Sequence, residues 1–299
     1  MSPQRILVSG ASGPIGAALV PSLQATGATV TRLVRKAANG PDQVLWHPAH
    51  ALSPDSVIGF DAIIHLAGES IVGRWTAAKK RRILESRVQG TVHLAEAAAK
   101  APRPPHVFIS ASAVGFYGNR GDEILREDSP SGEGFAAEIC RQWEAAAQPA
   151  AQAGIRTAQM RIGVVMSADG GALPGMLTPF RLGLGGRMGH GRQWWTWVSA
   201  RDVAGAIQHV LNHESLSGPI NTVAPNPVTN AEFTRILASV LKRPAIFPMP
   251  AFAVRLIFGE MGEELFLGSQ RVEPARLLAS GYQFQHPDLK NALKDILQR

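Results

Sequence analysis

Short runs of continuous apolar residues alternate along the chain with stretches whose apolar positions recur at helical spacing. RILVSG (5–10) reads as a strand, and PIGAALVPSLQATG (14–27) as a helix closed by Gly27. Further strands are predicted in TVTRLVRK (29–36), DAIIHLAG (61–68), PPHVFISAS (104–112) and RTAQMRIGVVM (156–166). Helices fall between them near 76–100, where Ile83, Val88, Val92 and Leu94 recur, and near 134–153. Strands that are apolar throughout must be covered on both faces, so the pattern predicts an α/β fold with a doubly wound parallel sheet, the Rossmann arrangement.

The last third has a different texture. NAEFTRILASVLKR (230–243) predicts an amphipathic helix with Asn230 as its N-cap, and Pro244, Pro248 and Pro250 interrupt the chain before the helical AFAVRLIFGEMGEELFLG (251–268). RLGLGGRMGHGRQWWTW (181–197) is glycine-dense and then aromatic, so it reads either as a loop entering an edge strand or as a wall over a ligand, with Arg192, Trp194 and Trp195 facing it. These shifts predict a dinucleotide-binding domain over 1–168, rejoined by 196–224, and a smaller, mostly helical substrate lobe from 169–195 and 225–299.

Composition narrows the function classes. The 299 residues are 45% apolar, and no run reaches about 18 uninterrupted apolar residues. Residues 1–9 lack a basic segment leading into a long apolar one, so the expectation is a cytoplasmic protein that neither spans a membrane nor is exported. Cys140 is the single cysteine, which excludes an intrachain disulfide and a cysteine-built zinc site. His47/His50 and His209/His213 have metal-like spacings without accompanying acids, so no metal is expected. The formal charge of +7 raises the question of nucleic acid, but the one dense basic run, Lys79 to Arg82, lies within a predicted helix and reads as a solvated face.

One stretch carries candidate chemistry. Gly10, Gly13 and Gly16, with Ser12, Pro14 and Ile15 between them, follow the first strand and open the first helix. Glycine suits a sharp turn, a close approach of pyrophosphate to backbone, and tight helix–strand packing, and the helix N-terminus offers free N–H groups to an anion. At the end of the second strand an acid would favour the ribose hydroxyls of NAD. TRLVRK supplies no acid, and Arg35 is the best-placed guanidinium for the 2′-phosphate of NADP.

GASGPIG, HLAG (65–68) and SASAVGFYG (110–118) resemble the extended short-chain dehydrogenases/reductases. More narrowly, HLAGESIVGRWTAAKKRRILESRV, EICRQWEAAA, GRQWWTWVSARDV and the segment from Pro250 resemble an atypical epimerase-like subfamily, NAD-dependent epimerase/dehydratase-like, with a C-terminal domain of unassigned role. The resemblance implies that Leu66, Ala67, Gly68 and Glu69 pass the cofactor's ribose and pyrophosphate. It further implies that Ser110, Arg161, Gly163 and Val164 lie beside the nicotinamide, and that Ser112 orients substrate. Arg87 resembles a cofactor contact, or is an ordinary helix-surface arginine. Family members commonly carry Tyr-x-x-x-Lys on the helix after the serine strand, where lysine lowers the phenol's pKa. Here that helix reads EGFAAEICRQWEAAA, with Ala136 and Cys140 in the two slots. Tyr117 is the one tyrosine placed to serve as a phenolic acid in their stead. The expected function is an NADP(H)-dependent oxidoreductase acting on a small molecule. A non-catalytic NADP(H) sensor and a nucleotide-sugar epimerase are the alternatives.

Overall fold

The computed structural model describes residues 4–36 and 38–298, so residues 1–3, within the segment read above for an export signal, lie outside it. The core is a seven-stranded parallel sheet. It is built from β1 (Arg5–Ser9), β2 (Thr29–Val34), β3 (Gln43–Leu45), β4 (Ala62–His65), β5 (Val107–Ala113), β7 (Arg156–Ile162) and β11 (Gly218–Thr222), in the spatial order β11-β7-β5-β4-β1-β2-β3. β6 (Ile124–Leu125) lies outside it, paired with β13 (Arg271–Val272). The doubly wound Rossmann fold expected from the alternation is therefore present, with the strand order reversing beside β1.

Two helical layers cover the sheet because each strand alternates its apolar side chains between them. Ile6, Val8, Ile64, Ile109 and Met160 pack toward α1 (Pro14–Ala25) and α6 (Ala200–Asn212). Leu7, Ile63 and Phe108 pack toward α2 (Ala77–Lys100) and α4 (Gln148–Gln152). The helix predicted near 134–153 is two elements, α3 (Phe135–Ala145) and α4. The strand predicted over 156–166 is likewise two. At Gly163 the chain leaves β7 and starts β8 (Val164–Met166), which pairs with β10 (Trp197–Ser199) outside the main sheet.

The remaining elements form the lobe above the carboxyl ends of the strands. α5 (Leu173–Arg181), α7 (Asn230–Leu241) and α11 (Leu289–Leu297) enclose Trp195, Trp197, Phe233 and Leu237, and β9 (Trp194–Trp195) pairs with β12 (Val228–Thr229). Asn230 is not the N-cap of α7. Thr229 takes that place in a capping box with Glu232, which frees the buried Asn230 to accept the Met188 N–H at 2.7 Å. A second bundle, α8 (Ala251–Phe258), α9 (Glu260–Gly262) and the π-turn Glu263–Leu267, packs Met261 against Trp75, Ile83 and Ile139. α10 (Ala275–Ala279) closes the edge of the sheet against β11.

Candidate functional site

The glycine turn has the geometry its spacing asks for. Gly10 sits at φ +73°, and a Cβ there would lie 2.7 Å from the backbone of Leu66 and Ala67. A Cβ on Gly16 would lie 2.5 Å from Ala11 and the Gly10 carbonyl, so α1 packs directly on the turn. Gly13 differs: it is the N-cap of α1, receives no side-chain cap, and a Cβ would meet nothing closer than 3.4 Å. Pro14 has no N–H to leave unsatisfied, so the N–H groups of Ile15 and Gly16 face the open end of the helix. Ser12 is exposed on the same turn. The cradle fits a pyrophosphate.

Around it the ends of β2 and β4 present charge. Arg32 is committed to Asp42, whereas Arg35 is exposed and carries no ion pair among the described residues, although its charge helps hold the Glu69 carboxyl below its usual range. Lys79, which hydrogen-bonds Glu69 at 2.9 Å, is the main cause of that lowering. Each residue of the dense basic run has a carboxylate partner: Lys79 and Arg82 face Glu69, Lys80 faces Glu260, and Arg81 faces Glu85.

Between sheet and lobe lies a cavity of about 420 Å³. Its floor is Ala113, Val114 and Gly115 at the end of β5 with Ile162, Gly163 and Val164 where β7 passes into β8, and Pro14 reaches it from the helix end. One side is Ala136, Ile139, Cys140 and Trp143 of α3 with Arg87 of α2, and the roof is Met176, Trp195, Met261, Leu265, Phe266 and Gln270. Among the described residues Arg87 is its one charged lining residue. The Arg87 guanidinium lies 4.9 Å from the Trp143 ring, donates to the Glu69 carbonyl at 2.9 Å, and has its pKa drawn down chiefly by burial. Burial pushes the Cys140 thiol up to about 11, with Glu144 adding to the shift. Among the described residues no group of three or more His, Cys, Asp or Glu gathers to hold a metal.

Four residues expected at the reacting centre lie elsewhere. Tyr117 is fully buried; its hydroxyl donates to Asn221 Oδ1 at 2.7 Å and accepts from Arg161 Nη1 at 3.0 Å, and burial raises its pKa. Arg161, 4% exposed, makes a two-pronged ion pair with Glu144 at 2.8 and 2.9 Å and lies 3.5 Å from the Phe116 ring centre. Ser112 donates to the same Glu144 at 2.7 Å, and Ser110 is buried against the Ala111 carbonyl. None of the four lines the cavity. For three of them the physical reason is the half-buried Glu144 carboxylate on α3: it draws the arginine and Ser112 toward itself, and the Tyr117 phenol accepts one of the arginine's remaining N–H groups.

Trp195 reaches the cavity, as the wall reading of 181–197 expects. Trp194 instead donates to Asp122 at 2.8 Å, and Arg192 is exposed away from it. The reading of the sequence did not select Trp143, Met176, Met261, Leu265, Phe266 or Gln270. Only the apolar spacing of 251–268 signalled that a buried face existed there.

Comparison with known proteins agrees with this architecture. Residues 6–223 match the NAD dependent epimerase/dehydratase family, and 249–296 match a domain of unknown function, DUF1731. The epimerase family protein Mb2239 of Mycobacterium bovis is 40% identical over 290 residues, 96% of each chain. The crystal structure of human epimerase family protein SDR39U1 (isoform 2) with NADPH superposes with a TM-score of 0.91 at 38% identity, covering 99% of this chain and 100% of that one. The structure of a nucleoside-diphosphate sugar epimerase from Corynebacterium glutamicum gives 0.84 at 39% identity, covering 99% of this chain and 58% of that one.

Proposed function

From the premise that this chain belongs to the NAD dependent epimerase/dehydratase family, we propose that it is an NADP(H)-dependent oxidoreductase that reduces a small, flat, apolar acceptor such as a quinone or enone. The observation that carries this reading is the cavity: mostly apolar on floor, side and roof, with Ser70 and Gln270 among its few polar side chains and Arg87 its single charge among the described residues. When bound, the nicotinamide supplies hydride, and a conjugated acceptor demands the least acid/base help from the protein. The chain's own residues do the rest. The N–H groups of Ile15 and Gly16 hold the pyrophosphate and Arg35 the 2′-phosphate, a role supported by the NADPH in the human relative's structure. Leu66, Ala67 and Gly68 give the cofactor room, and Gly163 and Val164 border the ring on the floor. Arg87 faces the acceptor's oxygen, and the Trp195 and Phe266 side chains exclude water above it.

Ala136 and Cys140, in the slots of the usual tyrosine and lysine, both face the cavity. Alanine has no proton to move, and a thiol held near 11 stays protonated at neutral pH. That favours the oxidoreductase over a sugar epimerase, because a sugar's many hydroxyls would also find few partners on walls whose polar side chains are mainly Ser70, Arg87 and Gln270. The same observation favours, as second reading, a protein that binds NADP(H) and turns nothing over.

Titration with NADPH and NADH, followed by absorbance at the reduced-nicotinamide band across quinones, enones, imines and aldehydes, tests the proposal. Consumption confined to conjugated acceptors is expected, with Arg35→Glu weakening NADPH at least tenfold more than NADH. Tight binding without consumption of any acceptor selects the sensor.

A further inference from the structure

The lobe carries an apolar face that none of its own elements covers. Leu182, Leu184, Ile246, Phe247, Phe252 and Leu256 are each more than half exposed, Phe252 and Leu256 at 70% and 73%. They fall on adjoining segments. The segment 182–189 runs beside 244–251, with Phe247 N donating to Gly185 O at 3.2 Å, Met249 N to Arg187 O at 2.9 Å and Gly189 N to Met249 O at 2.9 Å. The strip leads directly into α8, whose Val254 is fully buried while Phe252 and Leu256, one turn apart, stand out from the opposite side. Contiguous exposed apolar surface of this kind marks an interaction site.

Along the strip the charges have one sign, whereas at the far end of α8 Arg255 pairs with Glu263 and Glu260 pairs with Lys80. Arg181, Arg187, Arg235, Lys242 and Arg243 are exposed on these elements, and none pairs with a carboxylate among the described residues. Between Leu173 and Phe258 the sequence has three carboxylates, of which Asp202 is buried and Glu232 caps α7. Arg187 and Arg235 line one shallow depression with Ala245, Ile246 and Pro248.

We propose that this face docks on the surface of an anionic lipid bilayer, with Phe247, Phe252 and Leu256 entering the interface and the arginines meeting headgroup phosphates. A second copy is a poor occupant, because a two-fold contact would bring these uncompensated cations against their own equivalents. A folded acidic protein is a poorer fit than lipid, because Phe252 and Leu256 project as knobs from α8 and the depression beside Arg187 and Arg235 is too shallow to seat a partner's anchor. The docking is peripheral: no helix among the described residues is long and apolar enough to cross a membrane. The face also adjoins the cavity. α8 runs on into Met261, Leu265 and Phe266 of its roof, and the exposed Val72 lines the cavity beside Gly73, whose N–H meets Met261 Sδ at 3.3 Å. An apolar acceptor dissolved in lipid would therefore enter next to the docking surface. That consequence rests on the reductase reading, whereas the docking does not.

The test is co-sedimentation of the full chain with vesicles of phosphatidylcholine alone and of phosphatidylcholine mixed with phosphatidylglycerol, at low and at moderate salt. The expected result is retention by the mixed vesicles, at least tenfold weaker on neutral ones and weakened by salt. Phe252→Asp with Leu256→Asp should abolish retention, and Arg187→Glu with Arg235→Glu should remove its dependence on anionic lipid. Unchanged NADPH affinity in both variants would show that they are folded. Recovery of the wild-type chain in the supernatant with both vesicle types overturns the proposal, as does retention that neither variant alters. A lipid-free dimer that Leu256→Asp dissociates would assign the face to a second copy, and capture of an acidic protein without vesicle binding would assign it to that partner. Failure of every acceptor to oxidise NADPH leaves the vesicle result standing, so the two readings fail separately.

Discussion

Glu144 shows how one side chain reorganises the roles of its neighbours. It is 15% exposed and faces the 4% exposed Arg161, so the pair is balanced only while both charges are present. Glu144→Gln keeps the shape and leaves the arginine uncompensated. The expected loss is roughly 3–5 kcal/mol, read as a lower urea midpoint. His65 gives a pH dependence instead. It is fully buried, Ser9 Oγ lies 2.6 Å from its Nδ1, its Nε2 has no partner, and burial lowers its pKa from 6.5 to about 4. The unfolded chain takes up this proton below its own value of 6.5, where the native state does not. Stability is therefore complete above that pH and falls as pH drops toward 4, by about 3 kcal/mol from this group. His65→Leu should flatten that decline in denaturant titrations, and an unaltered decline would place its source elsewhere. Ser112, Tyr117 and Arg161 were legible in the sequence only as candidate site residues implied by the resemblance. Their burial was not, because spacing along β5 and β7 does not say which layer holds the carboxylate that draws them in.

At the scale of elements, local rules placed most helices and strands, and the departures have local causes. Gly163 breaks the strand predicted over 156–166, since a Cβ there would lie 3.0 Å from the Thr196 carbonyl where β10 crosses close by. Asn230 and Thr229 are both competent caps. The choice fell to Thr229 because Glu232 sits three residues after it and because Met188 needs the Asn230 carbonyl oxygen. The other end of the same helix holds the one non-glycine residue at positive φ among the described residues, Lys242 at φ 54°. Glycine takes that conformation without the Cβ penalty, so Lys242→Gly should raise stability by about 1 kcal/mol in thermal or urea unfolding. A loss would mean that the lysine stem packs on α7.

For the whole molecule, the chain threads sheet and lobe alternately. It leaves the sheet after β7, forms part of the lobe through β9, returns through β10 and α6 to β11, and leaves again. Neither part can unfold without severing segments of the other, so one cooperative transition is expected in calorimetry. NADPH at about a hundredfold its dissociation constant should raise stability by about 2.7 kcal/mol while keeping the transition single. Two separate transitions would show that the lobe melts alone. The cavity belongs to this scale as well, since its floor comes from the ends of β5 and β7 and its roof partly from Met176 and Trp195 and partly from 261–270, far later in the chain.

The sequence by itself determined the parallel sheet, the glycine cradle and the basic end of β2 without an acid. Each depends on neighbours within a few residues: apolar alternation, a turn that excludes Cβ atoms, and the absence of an acid beside Arg35. Tertiary structure decided what lines the cavity, which serines and arginines are withdrawn from it, and where apolar side chains stand uncovered on α8. Those outcomes depend on which distant segments meet: Glu144 with Arg161, Met261 with Ile139, and 182–189 with 244–251. Burial of a charge or exposure of a leucine is a property of such meetings, and no periodicity along the chain encodes it.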